Sequence, residues 1–217
     1  VQSRGIYHFP YRQSVLADED EQCSSLGNSS TSWGAKNSET CIITERDCEF
    51  SLGQYLWSGF DYIGEPTPYH TRNSYFGQID TAGFPKDSYY LYQAAWIDRR
   101  EKPVVHVFPY WDFNPGQLID VRIASNADVV ELLVNGVSKG RQRINHTGES
   151  KLTGDYRIAY EKGEITAVAY DENLKEIARE TRSSFGEPVR LILTQYEPER
   201  TLFAGTGDMA FFTVVAV

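Results

Sequence analysis

Two carboxylates, Asp61 and Glu65, are the nearest approach in this sequence to an acid/base pair. They lie in Ser58-Gly59-Phe60-Asp61-Tyr62-Ile63-Gly64-Glu65-Pro66-Thr67-Pro68, with Trp57 before them and Tyr69 after. A glycosidase needs two carboxyl groups flanking the scissile bond. Aromatic faces beside acids suit a sugar, whose C–H side stacks on a ring while its hydroxyls donate to a carboxylate. The same residues also read as acids that anchor a loop at the edge of a core. Trp57 is a stacking platform or a core residue, and His70, close to Arg72 and Asn73, sits in a polar loop where it can meet a ligand. His8, His106 and His146 are too scattered for a metal spacing. The sequence holds no Ser-His-Asp order, glycine-elbow serine or Cys-His arrangement, and no GxGxxG or P-loop that would call for a nucleotide cofactor.

The elements around the acids follow from local chemistry. Gly59, Gly64, Pro66 and Pro68 exclude a helix or a central strand through most of the segment. Just before it, Gly53-Gln54-Tyr55-Leu56-Trp57 predicts a short strand. Further upstream, Asn37 or Ser38 caps a helix through Thr40–Cys48. Its spacing puts Cys41, Thr44, Glu45 and Cys48 on one face, which assigns Cys48 to a core. Helix followed by strand is the local grammar of an α/β fold, in which ligands sit past the C-terminal ends of strands. Pro85-Lys86-Asp87 starts another helix, with Tyr89, Tyr92 and Trp96 on one face. Ser24 to Asn37 reads as loop.

Near residue 100 the character changes. Seventeen of the 29 aromatic residues fall in the first 100 positions, and Asp98-Arg99-Arg100-Glu101-Lys102-Pro103 makes a boundary. Beyond it short strands follow one another: around His106 and Phe108, Leu118–Ile123, Val129–Val134, Tyr156–Tyr160, Ile165–Tyr170 and Lys175–Glu180. Asn135-Gly136 is a type I′ hairpin signal. This spacing predicts a β-sandwich over residues 101–186. Gly186-Glu187-Pro188 then leads to Val189–Leu193 and a final apolar run, predicting the start of a further sandwich over 187–217.

The totals bound the remaining function classes. A formal charge of -9 argues against a nucleic-acid partner, which selects for lysine and arginine. No apolar run reaches the roughly 18 residues of a membrane helix. Cys23, Cys41 and Cys48, odd in number and without a CxxC pair, predict buried reduced thiols. Asn28-Ser29-Ser30 and Asn145-His146-Thr147 fit the glycosylation tripeptide, which arises often by chance. The chain opens at Val1-Gln2-Ser3-Arg4-Gly5 and ends within Phe211-Phe212-Thr213-Val214-Val215-Ala216-Val217, a run that reads as a strand in progress. Both ends are expected to be cuts in a longer polypeptide.

Gly53 to Tyr69 closely resembles a signature of bacterial glycoside hydrolase family 2 β-galactosidases. Ser74-Tyr75-Phe76-Gly77-Gln78-Ile79-Asp80-Thr81-Ala82-Gly83-Phe84-Pro85-Lys86-Asp87, Tyr89–Gln93, Ser3–His8, Val130–Gly136 and Asp208–Phe211 are also similar to that family. The resemblance implies an α+β multidomain fragment. Residues 1–100 would be the C-terminal end of a (β/α)8 barrel with Gly53–Trp57 as its eighth strand, residues 101–186 an immunoglobulin-like sandwich, and residues 187–217 the first strands of another. It implies a retaining hydrolase of terminal β-galactosides, using one carboxylic acid and one nucleophilic carboxylate and no cofactor. Neither catalytic glutamate has a counterpart here, so the chain alone is expected to be inactive and to contribute no catalytic residue. The substrate-binding residues implied are Trp57 and Glu65, with Asp61, Tyr69 and His70 in the same loop. The partners implied are the sugar and the rest of the polypeptide or another copy of this chain, without nucleic acid or membrane. The alternative is a non-catalytic structural or carbohydrate-binding module.

Overall fold

Alternation of inward apolar and outward polar side chains dominates the structure from residue 105 to residue 183. The computed structural model describes residues 38–65, 72–74, 77–144 and 151–217. The loop expected at Ser24 to Asn37, Cys23, the Ser3–His8 match and both glycosylation tripeptides fall at least partly outside the described residues, as do Tyr69 and His70.

Seven strands form the sandwich: β3 (Val105–Phe108), β4 (Leu118–Ser125), β5 (Val129–Val134), β6 (Val137–Arg143), β7 (Thr153–Ala159), β8 (Glu164–Tyr170) and β9 (Glu176–Ser183). They make two antiparallel sheets, β3-β4-β7 and β6-β5-β8-β9. Val107, Ile119, Val121 and Ile123 of the first sheet meet Val130, Leu132, Val134, Ile165 and Ala167 of the second. Trp111, Phe113 and Tyr160 close one end of this core, and the Trp111 indole donates to the Glu161 carbonyl at 3.0 Å. Full burial of a side chain of this kind contributes about 1.5–3 kcal/mol. The β5–β6 turn is the one the sequence predicts: Asn135 and Gly136 have φ of 50° and 79°, the paired positive values of a type I′ turn. On the outer face Glu131 is buried but satisfied by Ser138 (2.6 Å), Arg141 (2.9 Å) and Tyr170 (2.6 Å).

Two helices cover the outer face of the three-stranded sheet. The predicted helices are present as α1 (Ser38–Arg46) and α2 (Asp87–Trp96). Leu91 and Ala94 of α2 pack on Val104, Phe108, Ala124 and Leu152, with Ile42 and Ile43 of α1 against the same cluster. Arg122 ties α1 to the sheet through Glu39 (2.5 Å) and Asp155 (2.8 Å). The inward face of α2 is set by Leu91, Tyr92 and Ala94, while Trp96 is 67% exposed and lies against Tyr92 with ring centroids 4.8 Å apart. Cys41 and Cys48 are half-buried, so Cys48 is not the core residue its helical face suggests.

The largest departure from the sequence reading is Gly53–Trp57. No strand forms there. Strand propensity is expressed only when a neighbour completes the hydrogen-bond ladder, and no described residue pairs with this stretch. Leu52, Tyr55 and Trp57 stand exposed instead. Residues 38–184 and Phe185–Val217 fall in separate compact units. The second unit is a hairpin in which β10 (Leu191–Gln195) pairs antiparallel with β11 (Phe212–Ala216), apolar residues being exposed on both its faces.

Candidate functional site

Asp61 and Glu65 are placed very differently. Residues 58–61 run beside residues 78–79: Ile79 N donates to Gly59 O at 3.0 Å and Asp61 N to Ile79 O at 2.8 Å. The chain then enters β1 (Tyr62–Ile63), which pairs with β2 (Asn73–Ser74). Lys86 N donates to Gln78 O at 2.9 Å, bringing the start of α2 against the same backbone.

Asp61 is the bolt that holds these pieces together. It is 6% exposed, and its Oδ1 accepts from Gly77 N at 2.8 Å and from Lys86 Nζ at 2.7 Å. Lys86 is itself only 1% exposed. Burial pushes the Asp61 carboxyl up, against the opposing pull of the Lys86 ammonium and the Gly77 N–H. Burial likewise pulls the Lys86 ammonium down while Asp61 holds it up. Position 77 must be glycine, because a Cβ there would lie 2.1 Å from Asp61 N and 2.8 Å from its Oδ1. This geometry is that of a loop anchor.

Trp57 and Glu65 face the other way. Trp57 is 70% exposed and Glu65 is exposed. Tyr62 connects them: its hydroxyl accepts from Trp57 Nε1 at 3.1 Å and donates to Glu65 Oε2. The Trp57 and Tyr62 rings meet edge to face, 6.2 Å apart at 86°. Glu65 has a φ of 43°, a left-handed conformation that re-aims the chain at this point. An apolar ring face beside a carboxylate, both open to solvent, is what binding a sugar requires.

Lys86 entered the sequence reading only as the start of a helix, Gly77 only within a family match, and Tyr62 only as a neighbouring aromatic. Lys86 did leave a signal. A cation immediately before a helix is repelled by the helix dipole, so a lysine there is offset by an acid, and the sequence offers Asp87 and Asp80 nearby before the more distant Asp61. His106, read from sequence as a lone strand histidine, is also part of a largely buried cluster at the start of α2. Its Nε2 lies 3.0 Å from Asp87 Oδ1 and its Nδ1 3.3 Å from Glu180 Oε1, with Tyr90 stacked on the ring at 3.8 Å. Arg182 Nη2 lies 3.4 Å from both ring nitrogens. Glu180 also accepts from Val107 N at 2.6 Å, joining β9 to β3.

Comparison with known proteins gives this geometry its setting. Residues 116–178 match a domain of unknown function, DUF4982. The chain is 40% identical over 99% of its length to the β-galactosidase BoGH2A of Bacteroides ovatus, of which it spans 25%. It is 37% identical over 67% of its length to a putative β-glucuronidase of Formosa agariphila, covering 14% of that protein. Among solved structures, a glycosyl hydrolase family 2 member from Bacteroides cellulosilyticus superposes with a TM-score of 0.63 at 26% identity. That match covers 74% of this chain and 25% of the other.

Proposed function

We propose a role for this chain, which belongs to glycoside hydrolase family 2, as the part of a retaining β-galactosidase that supplies one wall of the sugar pocket. The observation that carries the reading is the exposed pair Trp57 and Glu65 joined through the half-buried Tyr62, beside a buried Asp61–Lys86 pair. In this reading residues 1–100 complete a (β/α)8 barrel, with Gly53–Trp57 gaining its strand partners from barrel elements beyond the described residues. Leu52, Tyr55 and Phe60 are exposed apolar side chains of the kind such neighbours cover. Residues 101–186 are the sandwich that follows the barrel, and residues 187–217 open the next one.

Trp57 stacks on the apolar face of the sugar and Glu65 accepts from a hydroxyl. Tyr69 and His70, which follow in sequence and lie outside the described residues, are assigned to the pocket with them. Asp61 acts one step behind, as the anchor of the loop. The two carboxyl groups of the hydrolytic chemistry lie elsewhere in the longer polypeptide. Asp61 is committed to Lys86 in the interior, so it and Glu65 do not make a flanking pair. An exposed carboxylate also favours a neutral hexose over a uronic acid, whose own carboxylate it would repel. That separates the galactoside reading from a glucuronide one.

The test uses nitrophenyl β-galactoside and nitrophenyl β-glucuronide, offered to the 217-residue chain and to the longer polypeptide that carries it. The expected result is no turnover by the chain and galactoside-selective turnover by the longer protein. Turnover by the chain alone, or selectivity for the glucuronide, would contradict the reading.

A further inference from the structure

We infer that Tyr62 is a positioning residue that fixes the Glu65 carboxylate for sugar binding, with Trp57 bracing it from the opposite side. The inference rests on the proposed galactoside subsite and assigns the side chain that sets its geometry. The chemistry of the three groups leaves one arrangement of protons. An indole N–H is a donor only, so Trp57 Nε1 gives its proton to the Tyr62 oxygen 3.1 Å away. An ionised carboxylate is an acceptor only, so the single phenolic proton of Tyr62 goes to Glu65 Oε2. The indole therefore occupies an acceptor site on the phenol and leaves the O–H no better use than to point at Glu65. A carboxylate offers about four acceptor sites, and this bond uses one of them while fixing the plane in which the others lie.

The arrangement has what a positioning residue requires. Tyr62 is half-buried and its backbone is held in β1 opposite Ser74, so the ring is a fixed post between two exposed groups. Immediately before it, Asp61 is bolted to Lys86 at the start of α2. Glu65 is at an exposed position with left-handed backbone, where a long flexible side chain gains most from a fixed donor. A freely rotating glutamate would lose rotamer entropy each time a sugar bound, whereas one already held by Tyr62 has lost it in advance. The effect of Tyr62 is thus exerted through Glu65 without any need to touch the sugar.

The experiment measures KM and kcat for nitrophenyl β-galactoside with the longer polypeptide, comparing Tyr62→Phe, Glu65→Ala and the double variant, each with its thermal midpoint. A hydrogen bond to a charged group is worth enough to change affinity roughly tenfold. The expected result is a KM raised roughly tenfold by Tyr62→Phe, an unchanged thermal midpoint and kcat within about twofold. Glu65→Ala should raise KM at least as much, and the double variant should be no worse than Glu65→Ala alone. If Glu65→Ala raises KM and Tyr62→Phe does not, the positioning role is overturned while the subsite stands. Effects that add in the double variant, or a lowered midpoint with KM intact, would reduce Tyr62 to a structural residue and overturn it equally. If Glu65→Ala leaves KM unchanged, the subsite reading itself fails and takes the inference with it.

Discussion

Trp111 in the sandwich and Trp57 in the loop before it are the same side chain in opposite surroundings. Trp111 is 0% exposed, packed edge-on against Tyr160 at 5.1 Å, with its N–H given to a backbone carbonyl. Trp57 is 70% exposed, and its N–H goes to the Tyr62 hydroxyl. The sandwich completes its own ladders and core from local hairpins, so its aromatics serve stability. The segment 52–60 leaves its apolar groups outside, and what order it has comes from a few polar bolts that reach forward to residues 77–86. Burial spent on folding in one region is withheld in the other, where an open ring face is what a ligand needs.

The contrast can be broken at its strongest point. Trp111→Ala should destabilise the described unit by up to about 5 kcal/mol, because it empties the closed end of the core. A urea midpoint that barely moves would show that this end of the sandwich carries little of its stability. Lys86→Met tests the loop's anchor. It leaves Asp61 buried without its cation, and breaking such a pair costs about 3–5 kcal/mol. The loss should fall near the lower end, since burial already pushes the Asp61 carboxyl up and eases its neutralisation. Adding Asp61→Leu to Lys86→Met should recover part of it. A single variant as stable as the parent would mean that the bolt is ornamental.

Much of the fold was legible because it is written in short-range chemistry. The Asn135-Gly136 turn, the alternation in Leu118–Ile123 and the helical spacing of Ser88–Trp96 each specify their element within a few residues. What escaped depends on partners distant in sequence. Gly53–Trp57 has strand propensity but no described neighbour to pair with, and propensity without a ladder yields extended coil. The candidate site divides in the same way. Residue type and setting offered Trp57, Asp61 and Glu65 alike as candidates, and of these only Trp57 and Glu65 are on the surface. That Asp61 turns inward is decided by Lys86, 25 residues further on, a pairing that no pattern around Asp61 announces. His106 is similar: its neighbours Asp87, Tyr90, Glu180 and Arg182 come from α2 and β9.

That cluster gives the smallest of the expected effects, and it belongs to the stable side of the comparison. Burial disfavours the His106 cation, but the bonds to Asp87 and Glu180 outweigh it and raise its pKa above the ordinary value. A raised histidine stabilises the fold fully below its unfolded pKa of about 6.5, and the contribution fades as pH climbs through the folded value. Glu180 is held below the usual carboxylate range, burial being outweighed by His106 and the Val107 N–H. Its contribution is present above its unfolded pKa and fades as pH falls through the lower folded one. Stability should therefore decline as pH rises above about 6.5, and His106→Gln should flatten that limb of the curve. An unaltered pH dependence in the variant would remove His106 from the account.

The exposed tryptophan separates a pocket wall from a core residue. Trp57→Ala in the longer polypeptide should change folding stability by less than about 0.5 kcal/mol, as for an exposed side chain outside the core. It should also lower kcat/KM for a β-galactoside by roughly tenfold, the worth of a lost aromatic contact. A variant that loses stability while keeping its galactosidase kinetics would contradict the account, because Trp57 would then be a core residue and the loop no pocket wall.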